Sequence, residues 1–320
     1  MASLQSARLA LVTGGAGFIG SHLVAELLDD GWRVRVLDDF SSGRVSNLSA
    51  VADRVETIRA DVRDEKEVAA AATGADVIFH QAAVASVPRS IEAPLQTNDV
   101  NLGGTLRVLE AARSQQVRRV ILASSSAVYG DAPAPVRESH RATPLSPYGL
   151  QKLAAEHYLR LYAELHGIET VALRYFNVYG ERQDPRSHYA AVIPRFLSAV
   201  RADQPLCVHG DGGQSRDFIY VKDIARANRL AADAPGVSGA CFNVASGRGT
   251  RVLELVSLLS ELVGRELPVL REAARLGDVR HSQADVEAAR KALDFEPQIE
   301  LEIGIRRTLE QTRIVEEVLQ

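Results

Sequence analysis

The 320-residue chain predicts an α/β fold, a doubly wound parallel sheet followed by a smaller C-terminal α/β domain. Three observations carry that expectation. First, Leu9-Ala10-Leu11-Val12 is an apolar run with no polar face, the mark of a strand buried on both sides. It leads through glycines into a segment whose Ile19, Leu23, Leu27 and Leu28 recur at helical spacing. Second, further apolar runs alternate with helical segments down the first half of the chain, the rhythm of repeated βα units. Third, residues able to do chemistry stand at the carboxyl ends of those runs, where open α/β sheets hold their ligands: Asp38, Asp61 and Ser124-Ser125-Ser126.

In chain order, the strand–glycine–helix turn comes first. Gly14, Gly17 and Gly20 have the spacing that lets a backbone approach a dinucleotide pyrophosphate, and the N-terminus of the next helix offers free N–H groups and a positive dipole end. Phe18 and Ile19, in that first turn, join the expected cofactor-binding set. A second strand, Arg33–Leu37, closes on Asp38-Asp39, where a carboxylate accepts hydrogen bonds from an adenosine ribose and repels a 2′-phosphate. This favours NAD over NADP. Ser42 and Gly43 follow in the same loop, and Arg44 is the one nearby cation that argues the other way. A third strand at 55–60 carries Asp61 and Val62 to a place beside the adenine. A helix at 65–72 and a strand at 76–80 come next. Gln81, Ala82 and Ala83 then let a cofactor lie close to the backbone. Residues 97–113 read as one long helix with Asn101 on its buried face, either as a structural hydrogen bonder or as a cofactor ligand.

Residues 120–123 form another buried strand, ended by the serine trio. A loop rich in Pro, Ser and Thr delivers Tyr148 and Lys152 onto a helix at 148–166, where residues four apart share a face. A lysine ammonium beside a phenol stabilises the phenolate and lowers its pKa, and the Ser125 hydroxyl can share the substrate proton. Tyr148, Lys152 and Ser125 are therefore the expected catalytic set.

Composition excludes several classes. A net charge of −4 leaves no basic footprint for nucleic acid. No apolar stretch reaches membrane-spanning length and the N-terminus lacks signal-peptide order, so a cytoplasmic location is expected. Cys207 and Cys241 sit among apolar neighbours and read as buried thiols, with neither a disulfide framework nor a metal site indicated.

The stretch Thr13–Gly20, the strand end Ser124–Gly130 and the Tyr148/Lys152 pair resemble the extended short-chain dehydrogenase/reductases that act on nucleotide sugars. So do Arg174-Tyr175-Phe176-Asn177-Val178-Tyr179-Gly180, the run from Gly210 to Phe218, and Arg275-Leu276-Gly277-Asp278-Val279-Arg280-His281-Ser282. Ser86-Val87-Pro88-Arg89-Ser90 and Arg182-Gln183-Asp184-Pro185 are similar to the bacterial UDP-N-acetylglucosamine 4-epimerases. Val178 departs from the Pro that many UDP-glucose 4-epimerases carry, which bears on subgroup rather than chemistry.

The resemblance implies a Rossmann-type cofactor domain over residues 1–175, with later returns of the chain to it, and a UDP-sugar domain mainly over 176–320. It implies bound NAD and reversible oxidation at sugar C4. Phe176 joins the cofactor set. Ser86, Ser125, Ser126, Asn177, Ala191, Val192, His209, Arg216, Arg275, Asp278 and Ser282 form the substrate set. Arg216 and Arg275 are placed on the pyrophosphate, for which guanidinium forks are well shaped. Ser282 is placed against the sugar C2 substituent, where a small side chain admits an N-acetyl group. The helices at 97–115 and 148–166 are placed in a homodimer interface. A dehydratase or decarboxylase is the first rival; Ala127, where those enzymes carry an ionisable group, argues against it. A non-catalytic NAD-binding protein is the second, and the presence of both Tyr148 and Lys152 argues against that.

Overall fold

The structure, a computed structural model, describes residues 7–184, 191–273 and 279–319. Its strands are β1 (Leu9–Thr13), β2 (Arg33–Asp38), β3 (Val55–Arg59), β4 (Val77–His80), β5 (Arg119–Ser125), β6 (Glu169–Tyr175), β7 (Asn177–Tyr179), β8 (Leu206–His209), β9 (Ser215–Tyr220), β10 (Ala240–Val244), β11 (Gly249–Arg251), β12 (Val269–Glu272) and β13 (His281–Ser282). Seven of them form one parallel sheet in the order β10-β6-β5-β4-β1-β2-β3. Strand order reverses between β1 and β4, so a crevice opens there at the carboxyl ends. Every residue of β1 and β4 is buried, which is why these stretches read as unbroken apolar runs.

Separate apolar clusters cover the two faces of this sheet. Leu23, Leu27 and Phe79 belong to one, and Leu11, Ile78 and Leu109 to the other. The chain re-enters the sheet late: β10 pairs with β6, and the helix Val221–Asp233 packs on the helix Phe18–Asp29.

The remaining strands are short and lie beyond the carboxyl edge. β11, β9 and β13 run side by side with β7 on β9, and β8 pairs with β12 in a separate parallel ribbon. Their core is built on Phe196, Leu206, Tyr220 and Leu255.

The long helix expected over 97–113 is present and runs on from Pro94 to Ser114, but its winding changes on the way. Pro94–Asn98 and Gly104–Ser114 are α-helical, and Asp99–Gly103 between them is a widened π turn. The turn follows from Asn101, whose side chain bonds to the Val84 backbone, and from Gly104, where a Cβ would stand 2.9 Å from Val62. Wide turns of this kind recur where a helix serves a site.

Candidate active site

The glycine turn is a cradle that side chains would fill. Gly14 has φ +68°, and a Cβ there would lie 2.7 Å from the Ala82 nitrogen; one on Gly20 would collide with the Gly14 carbonyl. Gly17 caps the following helix without a side chain, leaving its first-turn N–H groups open to a ligand. Asp38 holds the turn from the side. Its Oδ2 accepts from the Ala16 N–H and its Oδ1 from the Phe40 N–H, each at 2.8 Å. Burial pushes this carboxyl above its ordinary pKa, and the two N–H donors oppose the push. Gly43 leaves room for the carboxylate, since a Cβ there would stand 2.7 Å from Asp38 Oδ1. Arg44, the cation that could have favoured a 2′-phosphate, is paired with Asp184 at 2.5 Å. Asp39 and Ser42 are exposed in the same loop.

Asp61 is clasped by Arg63, whose hydrogen bonds hold the carboxyl below its ordinary range, and Val62 is buried against Gly104. Gln81 donates to the Tyr175 hydroxyl and to Asn228, and the Ala82 N–H donates to Thr13 Oγ1, so Ala82 and Ala83 run past the cradle. Asn101 accepts from the Val84 N–H and donates to the Val84 carbonyl and to Gln151. These bonds let it position the segment after β4, beside the cradle.

β5 ends in the serines, and alternation along the strand separates their roles. Ser124 turns inward and donates to Glu156 Oε1 at 2.5 Å. Ser125 accepts from the Ala127 N–H and is hydrogen-bonded to the Tyr148 hydroxyl. The helix Pro147–His166 starts cleanly because Ser146 caps it, accepting from the Gly149 N–H, with Pro147 at its first position. That start fixes Tyr148, whose backbone N–H donates to Ser90 Oγ at 3.0 Å. Lys152 is buried. Its Nζ donates to the Ala123 carbonyl at 2.7 Å and stands 5.9 Å from the centre of the Tyr148 ring.

One sequence expectation is corrected here. Burial pushes the Tyr148 phenol above its ordinary pKa, with the Ser125 hydrogen bond opposing, where the sequence led to a lowered value. Burial instead lowers Lys152 to about 8, against the attraction of Glu156.

Beside this group lies a cleft of about 450 Å³. Ser126, Phe176 and Asn177 line it from the sheet side, and Ala191, Val192 and His209 from the opposite wall. Arg216 and Ser282 face each other across paired strands, in register on β9 and β13. Asp217 anchors that arrangement from behind. Its carboxylate accepts from the N–H groups of Ser246, Gly247 and Ala284 and from the Ser246 hydroxyl. Ser86 does not line the cleft; its hydroxyl caps the helix Val87–Glu92, and Val87 and Pro88 form the wall. Cys207 and Cys241, both expected buried, are each half-buried: Cys207 stands in the cleft wall on β8, and Cys241 lies on β10, the edge strand of the main sheet. Arg275 and Asp278 lie outside the described residues.

Residues 10–245 match the NAD dependent epimerase/dehydratase family. The chain belongs to this family. Its cofactor is NAD, and the enzyme is an epimerase, an isomerase. It is 41% identical over 305 residues to a UDP-glucose 4-epimerase of Mycolicibacterium smegmatis, covering 94% of this chain and 97% of that protein. Its structure is similar to that of a UDP-N-acetylglucosamine 4-epimerase from Methanobrevibacter ruminantium in complex with UDP-N-acetylmuramic acid. The TM-score is 0.92 at 39% identity, over 97% of this chain and 99% of that one. A UDP-glucose 4-epimerase of Thermus thermophilus in complex with NAD is also similar, with TM-score 0.87 and 36% identity over 95% and 99% of the two chains.

The cradle of the epimerase fits NAD: open N–H groups behind Gly17, close backbone approach at Gly14 and Gly20, and a carboxylate at the end of β2. Several residues that build the site escaped the sequence reading. Ser90 holds the Tyr148 backbone, and Asp217 holds β13. Glu156 and Arg174 form a buried two-pronged ion pair, at 2.7 and 2.9 Å, behind the serine-ended strand. Arg174 also donates to the Tyr129 hydroxyl, which donates to Asn243. The sequence signal was Arg174 directly after the apolar Val171-Ala172-Leu173 of β6, since buried charges are paired.

Proposed function

We propose that this epimerase interconverts UDP-GlcNAc and UDP-GalNAc, with UDP-glucose and UDP-galactose as poorer substrates. The observation that carries the sugar preference is Ser282, a small polar side chain in the cleft wall, in register with Arg216. In the resembling subgroup this position faces the C2 substituent, and a bulky side chain there leaves room for a hydroxyl but not an acetamido group.

In this reading Tyr148 acts as the phenolate, its own proton having passed to solvent; beside Ser125 it takes the proton of the sugar 4-hydroxyl and returns it when the opposite configuration forms. Ser125 steadies the oxygen through the exchange. Lys152, held by the Ala123 carbonyl, keeps a positive charge on the buried side of the phenol. NAD, when bound, supplies a reversible hydride acceptor, so the reaction is redox-neutral. Arg216 grips the diphosphate, which positions the nucleotide while the 4-keto sugar turns to present its other face. Ala127 has no ionisable group with which to assist the eliminations of dehydratases.

A second reading, an enzyme confined to UDP-glucose and UDP-galactose, is favoured by the name of the Mycolicibacterium relative. Assaying all four sugars side by side decides between them. Turnover of the N-acetylated pair supports the first reading, and turnover of the plain hexoses alone replaces it with the second.

The exposed apolar residues Leu150, Tyr158, Leu161 and Leu165 form a stripe along the helix Pro147–His166, with Ile91 and Leu95 on nearby helices. Their spacing is that of a helix–helix seam, which supports a homodimer through this face. Light scattering of Leu161→Arg tests it: a monomer is expected, and an unchanged dimer would place the interface elsewhere. Among the described residues no helix is long and apolar enough to cross a membrane.

A further inference from the structure

Cys207, His209 and Glu272 meet on one face of the β8–β12 ribbon. Cys207 and His209 are two residues apart on β8, so both point to the same side. Glu272 is the cross-strand partner of His209. One ligand atom from each side chain lies within 4.8 Å of the other two. The face opens on the cleft, where Cys207 and His209 are both part of the wall.

We propose that this face binds one Zn²⁺ through Cys207 Sγ, His209 Nδ1 and a Glu272 oxygen, and that the ion competes with the nucleotide sugar for the cleft. The competition rests on the reading of the cleft given above; the ion site does not. Thiolate, imidazole and carboxylate are the donor set zinc prefers, and three protein ligands leave a fourth position for water.

The hydrogen bonds show where the ion fits. Arg195 Nη1 donates to His209 Nε2 at 3.3 Å, and arginine has no acceptor, so that ring nitrogen carries the lone pair. The ring proton therefore sits on Nδ1, facing Glu272 Oε2 at 3.3 Å. Zinc takes the place of that proton. The His209 proton moves to Nε2, Arg195 gives up its bond, and the Cys207 thiol loses its proton to solvent. One proton is released per ion bound. Sulfur binds the metal only as the thiolate, so binding tightens as pH rises. Arg195 is the opposing cation, and Arg195→Gln should bind zinc more tightly. The sequence concealed this site because a Cys-x-His pair and a distant Glu match no zinc spacing; strand pairing alone unites them.

Co²⁺ is the probe for the test, added to the metal-free full-length protein and then displaced with Zn²⁺. A single equivalent should bring up a thiolate-to-cobalt charge-transfer band that Cys207→Ser abolishes and Cys241→Ser retains. Glu272→Gln should weaken zinc by at least about 10-fold while keeping metal-free turnover. Zinc should raise the KM for UDP-sugar without lowering kcat, and UDP should slow cobalt uptake. Absence of the band, or its survival in Cys207→Ser, would overturn the site. Saturating zinc with an unchanged KM would overturn the competition. Failure of the metal-free enzyme to turn over any UDP-sugar would count against the substrate reading and leave the ion site standing.

Discussion

The cofactor cradle and the substrate cleft differ in how much of the chain each must bring together. Most of the cradle comes from the first 101 residues, carried by the ends of adjacent parallel strands. The cleft takes its walls from Val87 and Pro88, from the loop after β5 and from β7, β8, β9 and β13, segments spread from Val87 to Ser282. A local site is written in spacing; an assembled one is written in pairing. Mutations should therefore act directly in the first region and through supporting residues in the second.

The largest expected effect lies at the junction of the two. Tyr148→Phe should keep bound NAD and lose about 10²–10⁴-fold in turnover, the usual worth of a general base. Retained turnover with intact NAD would remove Tyr148 from proton transfer. Next comes a cleft-side support. Asp217→Asn keeps one oxygen, so its NH2 group must face with a donor either the Ser246 N–H and hydroxyl or the N–H groups of Gly247 and Ala284, which should cost about 3 kcal/mol in denaturant unfolding. It should also raise the KM, because β13 carries Ser282. An unchanged KM in a folded variant would separate Asp217 from the cleft.

How legible each region was follows the same divide. β1 and β4 were readable because burial on both faces leaves them apolar up to their last residues, Thr13 and His80; β2 was readable from the alternation of Arg33 and Arg35 with Val34 and Val36, and the helix at 65–72 was found with its bounds intact. β7, β11 and β13 span two or three residues, too short for any periodicity to register. The π turn at Asp99–Gly103 was invisible because its residues keep helical composition, and only the Asn101 hydrogen bonds demand the wider turn. At the candidate site, the shared face of Tyr148 and Lys152 was legible from spacing, and Ser125 from its place at the end of a buried strand. Their protonation was not, because it depends on how deeply Lys152 is buried and on the Ala123 carbonyl it faces.

On the cradle side, Asp38→Ala should narrow the preference for NAD over NADP by about tenfold, equal to some 1.4 kcal/mol, as measured by competitive binding. An unchanged ratio would assign Asp38 only to holding the Ala16 and Phe40 backbone. At Lys152 the expected effect is on stability as well as on turnover. Lys152 titrates at about 8 in the folded chain against an ordinary 10.5. Between those values the unfolded chain binds more protons, so stability from this group rises with pH across that window, and at neutral pH the buried charge is a cost. Lys152→Met should then stabilise the protein by about 2 kcal/mol at pH 7, once the lost bond to Ala123 is subtracted, while abolishing turnover. A variant less stable than wild type would mean that the Ala123 bond outweighs the burial.

The substrate proposal is tested most directly by kcat/KM for UDP-GlcNAc and UDP-glucose, measured side by side in wild type and Ser282→Tyr. Wild type should turn over both sugars and prefer the N-acetylated one. The tyrosine should remove N-acetyl turnover and spare the plain hexose, because a close-packed wall yields little to an added ring. Undiminished UDP-GlcNAc turnover in the tyrosine variant would contradict the gate at Ser282, and a wild type active on UDP-glucose alone would contradict the substrate itself.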